Sequence, residues 1–346
     1  MPSRGKLISA GVFVVVALII WVVGNSLSTY RLDTGTRVGV FFIAILSLNL
    51  VLGYAGQISL GQGALMLAGA YATAILNARH GWTIIETLPF AFAIGFGVGV
   101  LLGLPAVRLG GVYLALVTFA FAFAMPALPT KWADFFGGGN GLQFGPKGAH
   151  WTYNVTWLLA GVLFIGVWLL LRGRTGRAFR AVRDSEIAAT SSGVNLPYYK
   201  VLAFAISGGI AAMAGSMLAT VNNSFVSPGA FTVALSLTIL IGTAIGGFGS
   251  LWGMLAGALV IGILPDVSSS VPVIGSTHGL SVVYACVIIL ITFLMPNGFA
   301  GLLRIIVLRM TRSQRQAMTT PPAPPPSPNS RPPRPPARAV EAGLEG

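Results

Sequence analysis

Residues 201–265 read VLAFAISGGIAAMAGSMLATVNNSFVSPGAFTVALSLTILIGTAIGGFGSLWGMLAGALVIGILP, without one Asp, Glu, Lys or Arg. A helix needs about 20 apolar residues to cross the roughly 30 Å hydrocarbon core of a bilayer. We therefore predict spans near 200–221, 233–247 and 250–265. The last two are open to other interpretations, because residues 231–265 could also form one tilted helix or a re-entrant hairpin broken at 246–249.

The same pattern extends over most of the 346-residue chain. Only 8% of the residues are charged and 55% are hydrophobic, whereas soluble domains have about 25% charged residues. An ordinary water-soluble enzyme is thereby excluded. We predict an all-α polytopic membrane protein with about ten transmembrane helices. The further spans are expected near 7–24, 37–53, 59–78, 88–107, 110–128, 155–171 and 279–295.

The distribution of basic residues sets the expected orientation. With ten spans and a cytoplasmic N-terminus, sixteen of the 21 Lys and Arg residues lie on the cytoplasmic side, as the positive-inside rule requires. We therefore expect both termini in the cytoplasm of a bacterium and the chain in its inner membrane. The net charge of +13 reflects this topology and does not indicate nucleic-acid binding.

The C-terminal end differs in composition from the rest of the chain. Ten of the 21 prolines lie between Pro321 and Pro336, and a chain so rich in proline has little to bury. We predict a transmembrane domain over 1–318 and a disordered, proline-rich cytoplasmic tail over 319–346.

The membrane region lacks the residues that most catalytic and ion-coupled mechanisms require. Every charged residue can be placed at or beyond the end of a span, so no intramembrane carboxylate is available to carry a coupling ion. The sequence has no phosphate-binding loop, no HExxH zinc motif and no nucleophile elbow. We expect no enzyme activity, no metal and no cofactor of the chain's own. A stand-alone channel or facilitator for small polar solutes such as urea or amides, or a non-transporting scaffold, remains an alternative.

The predicted cytoplasmic loop at 172–200 is strongly basic. Its arginines recur every third residue from Arg177 to Arg183, and Gly193 and Pro197 are expected to end a short helix there. Such a helix could fit into a cleft of another protein, or its arginines could face anionic lipid headgroups. Composition alone does not decide between the two.

The sequence from Glu186 to Gly193, EIAATSSG, resembles the coupling loop of ABC importer permeases, and the wider stretch 176–204 is similar to the branched-chain amino-acid permease family in particular. The resemblance implies a fold like that of the vitamin B12 importer permease. It also implies import of branched-chain or related small amino acids, with a second homologous permease, two ATP-hydrolysing subunits and an external solute-binding protein as partners. ATP would be bound only by those partners. The residues implied in coupling are Arg180, Arg183, Glu186, Ala188, Ala189 and Gly193.

A glycine-rich stretch, NLVLGYAGQISLGQG at 49–63, also matches this family. Its polar side chains offer hydrogen bonds that lipid cannot satisfy, so we expect them to face protein or a water-filled path. A role in helix packing alone is an equally weighted alternative. The residues predicted to line the translocation path are Asn49, Gly53, Gln57, Ser59 and Gln62.

Overall fold

The computed structural model describes residues 29–269. The predicted first span (7–24), last span (279–295) and proline-rich tail (319–346) lie outside these residues. The helices are α1 (Thr29–Leu48), α2 (Gln62–His80), α3 (Ile84–Arg108), α4 (Gly111–Ala124), α5 (Ala127–Lys131), α6 (Ala133–Phe136), α7 (Ala149–Arg172), α8 (Arg174–Asp184), α9 (Glu186–Ser191), α10 (Leu196–Val221), α11 (Val233–Gly246) and α12 (Gly253–Ser269).

Short elements connect these helices. A π-helix, Asn49–Tyr54, continues α1, and two 3₁₀ turns lie at Gly138–Asn140 and Pro228–Ala230. Strands β1 (Leu142–Gln143) and β2 (Phe225–Val226) form a two-stranded antiparallel ribbon in which Leu142 lies opposite Val226.

Local sequence accounts for several helix ends. At the start of α3, the Thr83 amide donates to the Glu86 carboxylate at 2.8 Å, and the Glu86 amide donates back to the Thr83 hydroxyl at 3.5 Å. This reciprocal capping box satisfies two amides that the first turn would otherwise leave unpaired. Helix α2 ends at Gly81, whose φ of 68° suits a residue without a Cβ.

Helix α10 forms the centre of the bundle, and most of its side chains are buried. It packs very closely on α3, because a Cβ at Gly95 would lie 2.4 Å from the Gly208 carbonyl oxygen and one at Gly99 would lie 2.4 Å from the Phe204 carbonyl oxygen. Small residues four apart allow this approach between membrane helices. Gly69 of α2 packs against α10 in the same way.

Over residues 29–269, six helices are long and apolar enough to cross a membrane: Arg31–Tyr54, Ile84–Arg108, Gly111–Lys131, Ala149–Arg172, Leu196–Val221 and Pro228–Gly246. Gly253–Asp266 is a shorter apolar helix. The prediction of a helical, polytopic membrane protein is confirmed. The total of ten spans and the vitamin B12-type arrangement stay predictions.

Residues 231–265 contain two separate helices, so the single tilted helix that the sequence allowed is wrong, and two short spans and a re-entrant hairpin both stay predictions. Helices α11 and α12 meet at the turn around Gly247, and a Cβ at Gly257 would lie 2.0 Å from the Gly242 carbonyl oxygen. At its far end α12 contacts α1, where the Arg37 guanidinium lies 3.3 Å from the Asp266 carboxylate and the Thr34 hydroxyl also donates to that carboxylate.

Candidate coupling surface and intramembrane path

Helix α8 is amphipathic, with a buried apolar face and an exposed basic face. Ala178, Phe179 and Val182 are buried, and the Phe179 ring meets Tyr199 of α10 edge to face, with centroids 6.2 Å apart. The arginines at every third position, Arg177, Arg180 and Arg183, are exposed. Helix α8 is therefore fixed to the bundle by its apolar side.

Helix α9 is held rigidly although it has only six residues. The Ser185 side chain caps it by accepting a hydrogen bond from the Ala188 amide at 3.3 Å. Glu186 forms an ion pair of 2.7 Å with Lys200, whose side chain is only 3% exposed. Removing an ammonium group from water is costly unless a carboxylate lies beside it. Glu186 thus ties α9 to the first turns of α10.

The end of α9 is fixed by a Schellman motif. Gly193 has a φ of 81°, its amide donates to the Thr190 carbonyl at 2.9 Å, and the Val194 amide donates to the Ala189 carbonyl at 3.0 Å. This left-handed conformation favours glycine. A Cβ at Gly193 would meet nothing within 4 Å, so the backbone conformation, rather than space, explains the glycine.

The two faces of α9 differ sharply in exposure. Ala189 is 2% exposed and faces the bundle, whereas Ile187 is 84% exposed. Ala188 is also exposed. Ile187 is therefore available for contact with another protein if α9 binds one. Ile187 was not among the residues predicted from the sequence. It lies two residues before Ala189, about 200° around the helix axis, so the two side chains lie on opposite faces of α9.

Arg183 connects the surface helices to the π-helical end of the first described span. Its Nη1 donates to the Gly53 carbonyl oxygen at 2.8 Å, and its Nε lies 3.2 Å from the Asp184 carboxylate. Arg180 is exposed, and its guanidinium donates to the Leu171 carbonyl at 3.5 Å. The two arginines that the sequence grouped together therefore make different contacts, and only Arg183 reaches residues of the predicted path.

The segment from 49 to 61 interrupts the helices between α1 and α2. The Ala55 amide donates to the Leu50 carbonyl at 3.2 Å in the π-helical pattern, and the backbone is then irregular as far as Gly61. Hydroxyl groups of neighbouring helices complete its hydrogen bonds. Thr118 of α4 accepts from the Leu60 amide at 2.9 Å, and Ser236 of α11 accepts from the Gly63 amide at 2.8 Å. Irregular backbone at membrane depth is tolerated only with such partners or beside water.

Asn49 and Gly53 lie at one junction with the turn between α11 and α12. The Asn49 Oδ1 accepts from the Gly249 amide at 2.9 Å, and its Nδ2 donates to the Ser250 carbonyl at 3.2 Å. A Cβ at Gly53 would lie 2.0 Å from the Asn49 Oδ1 and 2.5 Å from the Gly249 nitrogen. Together with Arg183, these residues form the arginine junction, defined as Asn49, Gly53, Arg183 and Gly249.

The other predicted path residues are buried beside this junction. The Gln62 Nε2 donates to the Ser207 hydroxyl at 3.1 Å, and its Oε1 accepts from Ser47 at 3.3 Å. The Gln57 Nε2 donates to the Ala55 carbonyl at 3.4 Å, and Ser59 accepts from the Gly61 amide at 3.4 Å. The bonds of Gln62 join α1, α2 and α10, whereas the side-chain bonds of Gln57 and Ser59 to other described residues lie within segment 49–61.

A polytopic helical protein in which a surface helix bonds to a break between two apolar helices is typical of the class of membrane transport proteins. The model of the family described as "Branched-chain amino acid transport system / permease component" matches residues 30–295. The chain belongs to this family, which confirms the resemblance seen in the sequence, and its relatives are transport permeases rather than enzymes.

Individual relatives agree with this assignment. The chain is 31% identical over 290 residues to the high-affinity branched-chain amino acid transport system permease protein LivM of Salmonella typhimurium, covering 74% of this chain and 68% of the relative. It is 26% identical over 261 residues to the ribose import permease protein RbsC of Escherichia coli, covering 69% and 77%. It is 30% identical over 151 residues to LivH of Escherichia coli K12, covering 42% and 46%. No solved structure matches the chain.

Proposed function

We propose that this chain is the membrane-spanning subunit of an ATP-driven importer for branched-chain or related small amino acids. It would work in a bacterial inner membrane with a second permease of the same family, two ATP-binding subunits and an external solute-binding protein. Family membership and the likeness to both LivM and LivH support this assignment.

The observation that carries the proposal is the continuous contact from α9 through α8 to the helix break at 49–61. Helix α9 exposes Ile187, and α8, the preceding helix, bonds to Gly53 through Arg183. A subunit that bound α9 could therefore displace the backbone of residues 49–61 without contacting the membrane interior itself. Arg180, Glu186, Ala188, Ala189 and Gly193 would shape and hold this coupling surface.

The proposed cycle is alternating access. ATP binding brings the ATPase subunits together, α8 and α9 move with them, and the arginine junction shifts the π-helical end of α1. Each ligand can drive such a change only through different affinities for the two states. Gln57 and Ser59 are predicted to line the path, and their side chains bond within segment 49–61. Both would then change position together with this segment.

The remaining topology is part of the same proposal. Spans at 7–24 and 279–295 would complete a ten-helix domain over 1–318, arranged as in vitamin B12 importer permeases. Residues 319–346 would form a disordered cytoplasmic tail. With both termini in the cytoplasm, α8 and α9 lie on the side where ATP is available.

The test is uptake into proteoliposomes that contain the full complex. We expect radiolabelled leucine, isoleucine or valine to accumulate only when the binding protein, ATP and both ATPase subunits are present. Uptake of these solutes, or of urea, by this chain alone would instead establish a facilitator. Replacement of Gly193 by Val, which opposes its left-handed conformation, should lower uptake per ATP hydrolysed.

A further inference from the structure

A long apolar groove lies between α3 and α10, away from the path residues. Its volume is about 870 Å³. Helices α3 and α10 touch at its floor, since a Cβ at Gly103 would lie 2.9 Å from the Val201 Cα. The groove is lined by Phe96, Val100, Leu104, Pro105, Val107 and Arg108 of α3 and by Pro197, Tyr198, Val201, Leu202 and Ala205 of α10.

The length of the groove matches one leaflet of a bilayer. Its lining on α3 extends from Phe96 to Val107, which at 1.5 Å per residue is about 17 Å. Half of the hydrocarbon core is about 15 Å thick. An acyl chain lying along this groove would therefore extend from the membrane surface to the midplane.

The one charged residue of the lining is at the membrane-surface end. Arg108 is the last residue of α3 and is exposed. Within residues 29–269, no carboxylate lies within ion-pair distance of it. The Tyr198 ring, which is 58% exposed, lies at the same end. An apolar channel with an uncompensated cation at its aqueous end is complementary to an anionic amphiphile.

We propose that this groove binds one anionic glycerophospholipid. An acyl chain lies between α3 and α10, and the lipid phosphate contacts the Arg108 guanidinium, to which it can bind through two N–H groups. The site does not depend on the proposed transport function. Pro197 and Tyr198, which line the groove, lie in the first turn of α10, shortly after α9. The bound lipid would therefore support the position of α9.

The test is native mass spectrometry of the full-length purified chain with two lipid probes, dioleoyl phosphatidylglycerol and dioleoyl phosphatidylcholine. The two probes have the same acyl chains and differ only in their headgroups. We expect phosphatidylglycerol to bind more tightly to the wild type. Arg108→Gln should weaken its binding about fivefold, the equivalent of about 1 kcal/mol for one basic residue at a membrane surface. Arg108→Lys should restore most of the preference, because the charge is kept.

Two matched controls separate the groove from the general surface. Arg172 also ends a spanning helix, but its guanidinium stacks 3.5 Å from the centre of the Trp168 ring, so Arg172→Gln should leave lipid binding unchanged. Val100→Trp fills the groove and should reduce binding of both lipids. Leu101→Trp, on the adjacent lipid-facing surface where Leu101 is 65% exposed, should not.

Three results would overturn the proposal. Equal binding of the two lipids would remove the headgroup preference, and unchanged binding by Arg108→Gln would remove Arg108 from the site. Efficient cross-linking of two chains through Leu104→Cys, with Cys286 replaced by Ser, would show that a second copy covers the groove. ATP-driven uptake could still be observed in each of these cases.

Discussion

The surface helix α9 and the helix break at 49–61 are both predicted functional regions, but different kinds of contact hold them in place. Helix α9 is fixed by local caps and one ion pair and exposes Ile187 to solvent. Segment 49–61 is mostly buried, although Gly56 is exposed, and its polar groups bond to residues as distant in sequence as Gly249. The comparison indicates two different roles. The exposed helix can bind and release a partner protein, whereas the buried segment can respond only by changing its conformation.

The largest expected effect is a loss of stability from a substitution in segment 49–61. In Gly53→Ala the new Cβ would lie within 2.5 Å of both Asn49 and Gly249, and overpacking of this kind destabilises by about 3 kcal/mol. We expect a clearly lower unfolding temperature of the purified chain.

Gly97→Ala is the matched control for that variant. Gly97 lies within α3, and a Cβ there meets nothing within 4 Å. This variant should be stabilised by about 1 kcal/mol or less, because alanine favours a helix. Equal unfolding temperatures for the two variants would contradict the tight packing at the arginine junction.

A second change tests the exposed side. Ile187→Asp should leave the isolated chain within about 0.5 kcal/mol of wild-type stability, because Ile187 contacts little of its own protein. Burial of such a side chain in a partner contributes about 1.5–3 kcal/mol, so the affinity for the ATPase subunits should fall roughly 10- to 100-fold. Pull-down titration measures this. Unchanged affinity would show that the partner does not cover Ile187.

The link between the two regions is tested by Arg183→Gln. A hydrogen bond from a charged donor contributes about 1.5–3 kcal/mol, so uptake per ATP hydrolysed should fall about tenfold while the complex still assembles. Arg177→Gln, which changes an exposed arginine on the same helix, is the control and should couple normally. Equal coupling in both variants would mean that the bond to Gly53 transmits nothing.

The smallest effect is expected at Glu186. Glu186→Gln leaves the Lys200 amine without its carboxylate, but Glu186 is partly exposed, so the loss should be only about 1 kcal/mol. The double variant Glu186→Gln with Lys200→Met should recover part of this stability, because no buried charge remains. Thermal unfolding of the four proteins measures the coupling energy. Additive changes would show that the ion pair is not a stabilising unit.

The sequence predicted the features that local chemistry determines. Eight predicted spans fall within residues 29–269, and each overlaps a helix, because apolar length and charged ends are local properties. Six of them overlap a helix that is long and apolar enough to cross a membrane. The turn at Gly193 was predicted for the same reason, since a left-handed residue after a short helix favours glycine.

The contacts that the sequence could not predict join residues that are far apart in the sequence. Arg183 and Gly53 are separated by 130 positions, and Asn49 and Gly249 by 200. Nothing in the pattern around either partner indicates the other. The burial of Lys200, which lies at the predicted edge of a span, was unpredictable for the same reason, because it depends on how α10 packs against α8 and α9.

The central claim is that motion of α8 and α9 reaches segment 49–61 through Arg183. Its most direct test is thiol labelling of Ile58→Cys, with Cys286 replaced by Ser, in the reconstituted complex with and without ATP. We expect the labelling rate to change with nucleotide in this protein, and the change to disappear when Arg183→Gln is added. A nucleotide response that persists without Arg183, or no response in either protein, would contradict the claim.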